Sequence, residues 1–351
     1  MQRLVASTFV DANLRQRVWR IVSGMDARLP RGRLEVFVKF GLLTVSYAGL
    51  FYDGPPLSVI EQVRKARQLG FDGLSIETKR PVASPLDLSR SDRQAIRAAA
   101  DTEGIELCAI ESLSNFASPI MEERENNLAM MRLVLDLAVD LGVPLVKVFA
   151  AWPGLVNDED DTASYVPYER GNYYARLYPA DLRRWHRALD GLRETADLAA
   201  ERGLTLALQN HAPVLRPGYE DTLAMLRELE RANVGLCLDA PLFKERQSDA
   251  YVSEAARVCG PHVLLTHYGA WNFVENDTGV EQGPCPSFGA PVNYAPFLAE
   301  LQRAGYDGYL VSEYCLPCVK DHRLGGIDDI DRANAMALAY MKRLVMAPQV
   351  A

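Results

Sequence analysis

Asp239, His267 and Glu313 each close a short apolar run of the sequence, and Gln209 closes the run before them. Two carboxylates, an imidazole and an amide oxygen form a donor set for a hard-to-borderline divalent ion. Mn²⁺ is the expected metal, with Mg²⁺, Co²⁺ and Zn²⁺ compatible. The four contain no cysteine, which disfavours a structural zinc site. Further polar residues stand at the ends of other apolar runs: Glu77, Glu111, Lys147, and Asn210 with His211 directly after Gln209. Ionisable groups gathered at one place are costly unless paired or metal-bound, so such a gathering reads as a site. His211 follows Gln209 by two residues and need not be a ligand. An unperturbed imidazole pKa near 6.5 makes it the candidate general base, with Lys147 or Glu111 assisting.

The elements that must position these residues follow from periodicity. Eight short β-rich runs alternate with longer amphipathic stretches, the pattern of parallel βαβ units. The runs are 39–45, 73–77, 106–111, 145–150, 204–210, 235–239, 262–267 and 309–313. Helical patterns lie at 57–69, 93–103, 127–141, 180–202, 219–231, 294–304 and 327–345. Gly70-Phe71-Asp72-Gly73 and Gly305-Tyr306-Asp307-Gly308 each close a helix and open a strand ending in glutamate. Gly104, Gly142 and Gly203 stop other helices before strands. Eight strands with helical crossovers and no break in composition predict a single-domain (β/α)₈ TIM barrel. In such barrels chemistry sits on the loops after the strands. Two of those loops, after strands 4 and 7, are long (151–179 and 268–293), a length that suits lids or binding surfaces. Gly325-Gly326 ahead of the last helix is a weak candidate for a phosphate site.

Residues 38–351 form the expected catalytic domain, and residues 1–37 a basic extension outside the fold. Leu34-Glu35-Val36 can be encoded by a purine-rich ribosome-binding sequence and Val38 by a GTG start, so the natural chain is expected to begin at Val38. At 351 residues, with 48% hydrophobic and 24% charged residues, the composition is that of an ordinary globular protein, and no apolar run approaches the roughly 20 residues a membrane helix needs. A formal charge of −8 opposes general binding to nucleic acid. Six scattered cysteines and no secretory signal fit a reducing cytoplasm, and Cys315-Leu-Pro-Cys318 is expected to be structural or incidental.

The segments Leu206-Ala207-Leu208-Gln209-Asn210-His211, Leu236-Cys237-Leu238-Asp239, Leu265-Thr266-His267 and Leu310-Val311-Ser312-Glu313 resemble the metal-ligand strands of the xylose-isomerase-like barrels, the sugar phosphate isomerase/epimerase superfamily. The resemblance covers about residues 38–346 and implies Asp239, His267 and Glu313 as ligands. Gln209 departs from the pattern, since many members carry glutamate there. An amide binds metal more weakly and cannot act as a base, which counts against a ketose epimerase working through two metal-bound glutamates. The stretches Phe40–Tyr47, Glu77–Pro81, Lys147–Gly154, Gln209–Pro213 and Thr266–Trp271 look most like the catalytic α subunit of bacterial C-glycoside deglycosidases.

That resemblance implies a 3-oxo-glycoside substrate, a Mn²⁺ cofactor and a small β-subunit partner. The expected reaction is a carbon-carbon lyase step: a base takes the proton at C2, acidified by the ketone at C3, and the C-linked aglycone is eliminated. Trp152, Tyr268 and Trp271 are candidates for stacking on a flat aglycone, and Glu77 and Asn210 for binding the sugar. The alternative is a metal-dependent ketose 3-epimerase or sugar isomerase. An endonuclease of related fold would want more metal-binding histidines than the five present and a basic face. A noncatalytic sugar-binding subunit is favoured only if the rim binds no metal.

Overall fold

The computed structural model describes residues 38–118, 120–151, 155–157, 163–165, 182–211, 218–240, 248–271, 273–277, 279–283, 292–320 and 322–346. The expected extension (1–37), Trp152, the acidic run 158–161 and Cys285 lie outside them.

Eight parallel strands close into a barrel: β1 (Lys39–Leu43), β2 (Gly73–Glu77), β3 (Glu106–Glu111), β4 (Leu145–Val148), β5 (Thr205–Gln209), β6 (Val234–Cys237), β7 (Val263–Gly269) and β8 (Tyr309–Glu313). β1 pairs with both β2 and β8, which completes the ring. The helices are α1 (Val59–Leu69), α2 (Arg90–Glu103), α3 (Met121–Leu141), α4 (Leu182–Glu201), α5 (Glu220–Leu229), α6 (Asp249–Cys259), α7 (Tyr294–Arg303) and α8 (Ile327–Met346). The expected (β/α)₈ barrel is therefore the fold.

Local chemistry sets the boundaries. Ser58 with Glu61, and Ser89 with Asp92, form capping boxes that satisfy backbone amides at the starts of α1 and α2. Gly70 ends α1 in the left-handed region, at φ 83°, where a β-carbon would be strained. α3 begins six residues earlier than its apolar period suggests. Its first turn carries Glu122 and Glu123, which favour a helix N-terminus without presenting an apolar face. β1 is shorter than expected, because Thr44–Tyr47 turns into a 3₁₀ helix; Tyr47 then donates to Asp331 of α8 at 2.6 Å. Both long loops contain paired strands that the sequence reading missed: Leu155–Asn157 with Ala163–Tyr165, and Phe273–Asn276 with Gly279–Gln282.

The strands face two cores. The larger lies between barrel and helices, and the smaller fills the barrel with residues such as Leu145, Ala207, Leu265, Tyr309 and Val311. The Tyr309 ring plugs the end where the strands begin. A β-carbon at Gly41 would stand 3.3 Å from it, so glycine leaves room for the plug. Two register shifts distort the ring. Cys108 is an extra residue on β3 opposite β2, and Leu264 is an extra residue on β7 opposite β6. Bulges of this kind re-aim the side chains that follow; here these are Glu111 and His267. Among the described residues, no helix is long and apolar enough to cross a membrane.

Candidate metal centre

At the C-terminal end of the barrel the strands deliver their polar residues to one place. His267, 2% exposed, lies at its centre. Its Nδ1 is 3.0 Å from Asp239 Oδ2, 3.1 Å from the Gln209 amide nitrogen and 4.0 Å from Glu313 Oε2. The Gln209 amide nitrogen also contacts Asp239 Oδ2. The four expected ligands are thus brought together by β5 to β8 and the residues just after β6.

The opposite ring nitrogen, Nε2, is 3.0 Å from Glu111 Oε1. Glu111 is fixed in turn by Ser75 Oγ at 2.5 Å and by Lys147 Nζ at 3.4 Å. A carboxylate on the far nitrogen orients a metal-ligating imidazole. Glu111 and Lys147, expected to assist in proton transfer, face each other and His267; Ser75 is a functional residue that sequence reasoning missed. Lys147 Nζ also donates to Ser112 O and lies 3.8 Å over the Phe149 ring.

The electrostatics follow from burial against pairing. Burial pushes Glu111 up, but His267 and Lys147 overcome it and hold the carboxyl at about 2. Asp239 is likewise pushed up by burial, yet His267 and Gln209 hold it at about 2. Burial alone would lower His267, and the two carboxylates instead raise it well above its ordinary value. Glu313 differs: burial, with Asp239 and Glu111 adding repulsion, raises it to about 7 against the pull of His267 and Lys147.

The donor set fits a divalent ion. Asp239 Oδ2 and His267 Nδ1 stand 3.0 Å apart, Glu313 Oε2 lies 4.0 Å from the same nitrogen, and Gln209 Oε1 is buried with no hydrogen-bond partner. A half-turn of that amide would present its oxygen to a cation and remove its nitrogen from the imidazole. Cys237, Asp239 and His267 offer ligand atoms within 4.8 Å of one another. The cysteine-free cage expected from the sequence therefore has a thiol beneath it. The signal was the alternation Cys237-Leu238-Asp239, which puts both polar side chains on the same face.

The structure places the other expected residues as follows. His211 stacks on Phe149 with ring centroids 4.9 Å apart, and desolvation, with Lys147 nearby, depresses it to about 3 rather than leaving it near neutrality. Asn210 is not turned to the mouth: its Nδ2 donates to Asp239 O at 3.1 Å and its Oδ1 accepts from Asp239 N at 2.8 Å. Tyr268 alternates with His267 and so points outward, buried edge-on against Tyr294 in the outer core. Trp271 packs over Gly269, where a β-carbon would overlap its ring. Glu77 accepts from Lys79 Nζ at 3.0 Å beside the cage. Cys315 lies beside Glu313, and burial with that carboxylate pushes its thiol well above the ordinary range. The weak phosphate candidate fails because Gly326 N–H donates to Asp329 Oδ2 at 3.0 Å and Gly325 N–H to Cys318 O at 2.7 Å.

Residues 63–337 match the family described as the xylose isomerase-like TIM barrel. The chain belongs to that family. L-ribulose-5-phosphate 3-epimerase UlaE of Salmonella paratyphi C is 26% identical over 263 residues, 72% of this chain and 81% of the relative. D-psicose 3-epimerase from Clostridium cellulolyticum H10, solved with D-tagatose, superposes with a TM-score of 0.63 at 20% identity, covering 88% of this chain and all of the other. The E. coli 3-keto-D-glucoside 4-epimerase YcjR superposes with a TM-score of 0.59 at 17% identity, over 87% of this chain and 99% of that one. By name these relatives are carbohydrate epimerases, and the two solved structures share the barrel fold.

Proposed function

We propose that this chain is a metal-dependent sugar epimerase or isomerase that moves a proton at a carbon next to a carbonyl. The observation that carries the reading is the convergence of Gln209, Asp239, His267 and Glu313, with Glu111 behind the imidazole. A divalent ion bound there, most simply Mn²⁺, would polarise a substrate carbonyl as a Lewis acid. Glu313 is the side chain poised to take the proton; in an isomerase it would return it to the neighbouring carbon, and in an epimerase a group on the opposite face would deliver it. Glu313 is partly open to the mouth, so it can reach a carbon next to a carbonyl held at the cage. His211, kept neutral by desolvation, and Lys147, paired with Glu111, would serve as proton or hydrogen-bond partners, and Glu77 would bind a substrate hydroxyl.

Gln209 supports a second reading. Inverting a carbon by deprotonation on one face and reprotonation on the other is simplest with two carboxylates, and an amide occupies the β5 position. A reaction that removes a proton and expels a substituent needs only one such base. That is the C-glycoside lyase: a 3-oxo-C-glycoside loses its C2 proton and then its aglycone, with a small β subunit as partner.

One experiment separates the readings. The chelator-stripped and Mn²⁺-reloaded chain, with and without the small companion protein, is incubated in D₂O with free ketoses and with a 3-oxo-C-glucoside, and products are followed by NMR. Metal-dependent deuterium incorporation and a rearranged sugar from the ketoses support the epimerase or isomerase. Release of aglycone without turnover of free ketoses moves the assignment to the lyase. Absence of exchange with every substrate overturns both.

A further inference from the structure

The thiol of Cys237 lies under the cage, and the proposed reaction does not use it. It is fully buried on β6, two residues before Asp239, and faces the barrel interior. Its Sγ lies 3.5 Å from Asp239 Oδ1 and 4.0 Å from His267 Nδ1, while that same Nδ1 lies 3.0 Å from Asp239 Oδ2. In tetrahedral zinc geometry, with Zn–S about 2.3 Å and Zn–N or Zn–O about 2.0–2.1 Å, ligand atoms stand about 3.3–3.6 Å apart. The Sγ–Nδ1 edge is within about 0.5 Å of that spacing, and the Asp239 carboxylate turns one oxygen toward the sulfur and the other toward the imidazole. An independent feature points the same way. Gln209, 4% exposed, aims its amide at Asp239 and His267 and leaves Oε1 without a partner, so a fourth, oxygen ligand is at hand.

We propose that Cys237, Asp239 and His267 form a sulfur-containing metal site beneath the oxygen-rich cage, which captures thiophilic divalent ions such as Zn²⁺ or Cd²⁺. The two sites share Asp239 and His267 and are mutually exclusive; the inference rests on the reading of those residues as metal ligands. Soft thiolate favours Zn²⁺ and Cd²⁺, whereas Mn²⁺ and Mg²⁺ prefer the set that includes Glu313. Capture exchanges the Cys237 S–H bond for a sulfur–metal bond and releases the proton, through the carboxylates, to solvent. An ion held by sulfur sits below the mouth, away from Glu313, and blocks the hard-ion position. Soft metals are therefore inhibitors by displacement.

The test uses the full chain stripped with chelator. Cd²⁺ is titrated while the ultraviolet sulfur-to-cadmium charge-transfer band is followed, and Mn²⁺ uptake is read separately by electron paramagnetic resonance. Wild type should develop the band to one equivalent, and Cys237→Ser should lose it while still taking up Mn²⁺. Losing even an outer partner of a metal ligand costs about 10–100-fold in affinity, so Zn²⁺ affinity should fall at least that far in the variant. Cys237→Ala, checked by circular dichroism, serves if the serine protein does not fold. A band that persists in either variant, or a wild type that binds Mn²⁺ but shows no band, overturns the proposal. A wild type that shows a Cys237-dependent band but takes no Mn²⁺ supports this site and overturns the hard-ion cage instead.

Discussion

The strand β3 carries a glutamate at each end of the barrel, and the two live in opposite environments. At the start, Glu106 pairs with Lys39 at 2.6 Å, both side chains nearly half exposed, and accepts from Tyr309 Oη at 2.8 Å. At the finish, Glu111 pairs with His267 and Lys147, and all three are almost fully buried. An exposed pair is worth about 0–1 kcal/mol. Burying charge costs several kcal/mol per ion before its partners offset it. A chain that sets desolvated charge at one end only, where all strands finish, marks that end as the site. The other end uses the same residue types to cover a tyrosine plug.

The comparison breaks first at His267. Replacing it with alanine leaves Glu111 and Asp239 buried without their shared partner, at an expected cost of about 3–5 kcal/mol, with loss of metal uptake. Thermal melts and metal analysis would read both; a variant as stable as wild type contradicts the buried network. Next is Glu111→Gln, which keeps the shape but withdraws the charge behind the imidazole. Metal affinity should fall about 10–100-fold by calorimetry, with the fold retained; unchanged affinity would mean that Glu111 does not orient His267.

The metal-free protein should also show an unusual dependence on pH. Glu313 ionises near 4.5 when unfolded but only near 7 when folded, so the folded state binds more protons and stability falls as pH rises through that window. His267, raised well above 6.5, contributes stability that is complete below 6.5 and is lost as pH rises through its folded value. Asp239 and Glu111 act oppositely. Held at about 2, they contribute stability present above their unfolded values and lost as pH falls toward 2. Stability without metal should therefore peak on the acid side of neutrality, and divalent ion should move the peak upward. A metal-free optimum near pH 8 in denaturant titrations contradicts these signs. The smallest effect belongs to the far end: Lys39→Ala should change stability by no more than about 1 kcal/mol and leave metal affinity untouched.

Much of this is legible in the sequence. Glycine stops, such as Gly70, and the strand-helix alternation led to the barrel because they are local signals. Asp239, His267 and Glu313 were readable as a cluster because barrels collect strand ends at one rim. The failures share a cause, the direction a side chain takes. Tyr268 follows His267 in sequence, yet the two-residue period of a strand sends it to the outer core. Asn210 sits beside a ligand, but its amide is spent on the backbone of Asp239. The pKa of His211 depends on desolvation and on Lys147 from another strand, neither of which adjacency reveals. The apolar period misses the start of α3 because its acidic first turn does not carry that period.

The most direct test of the central claim is a binding isotherm for Mn²⁺ on the chelator-stripped chain, run beside Asp239→Asn. One ion per wild-type chain, with uptake lost or weakened by orders of magnitude in the variant, is the predicted result. Stoichiometric binding that survives Asp239→Asn unchanged, or no binding by wild type, would contradict a metal centre built on Gln209, Asp239, His267 and Glu313.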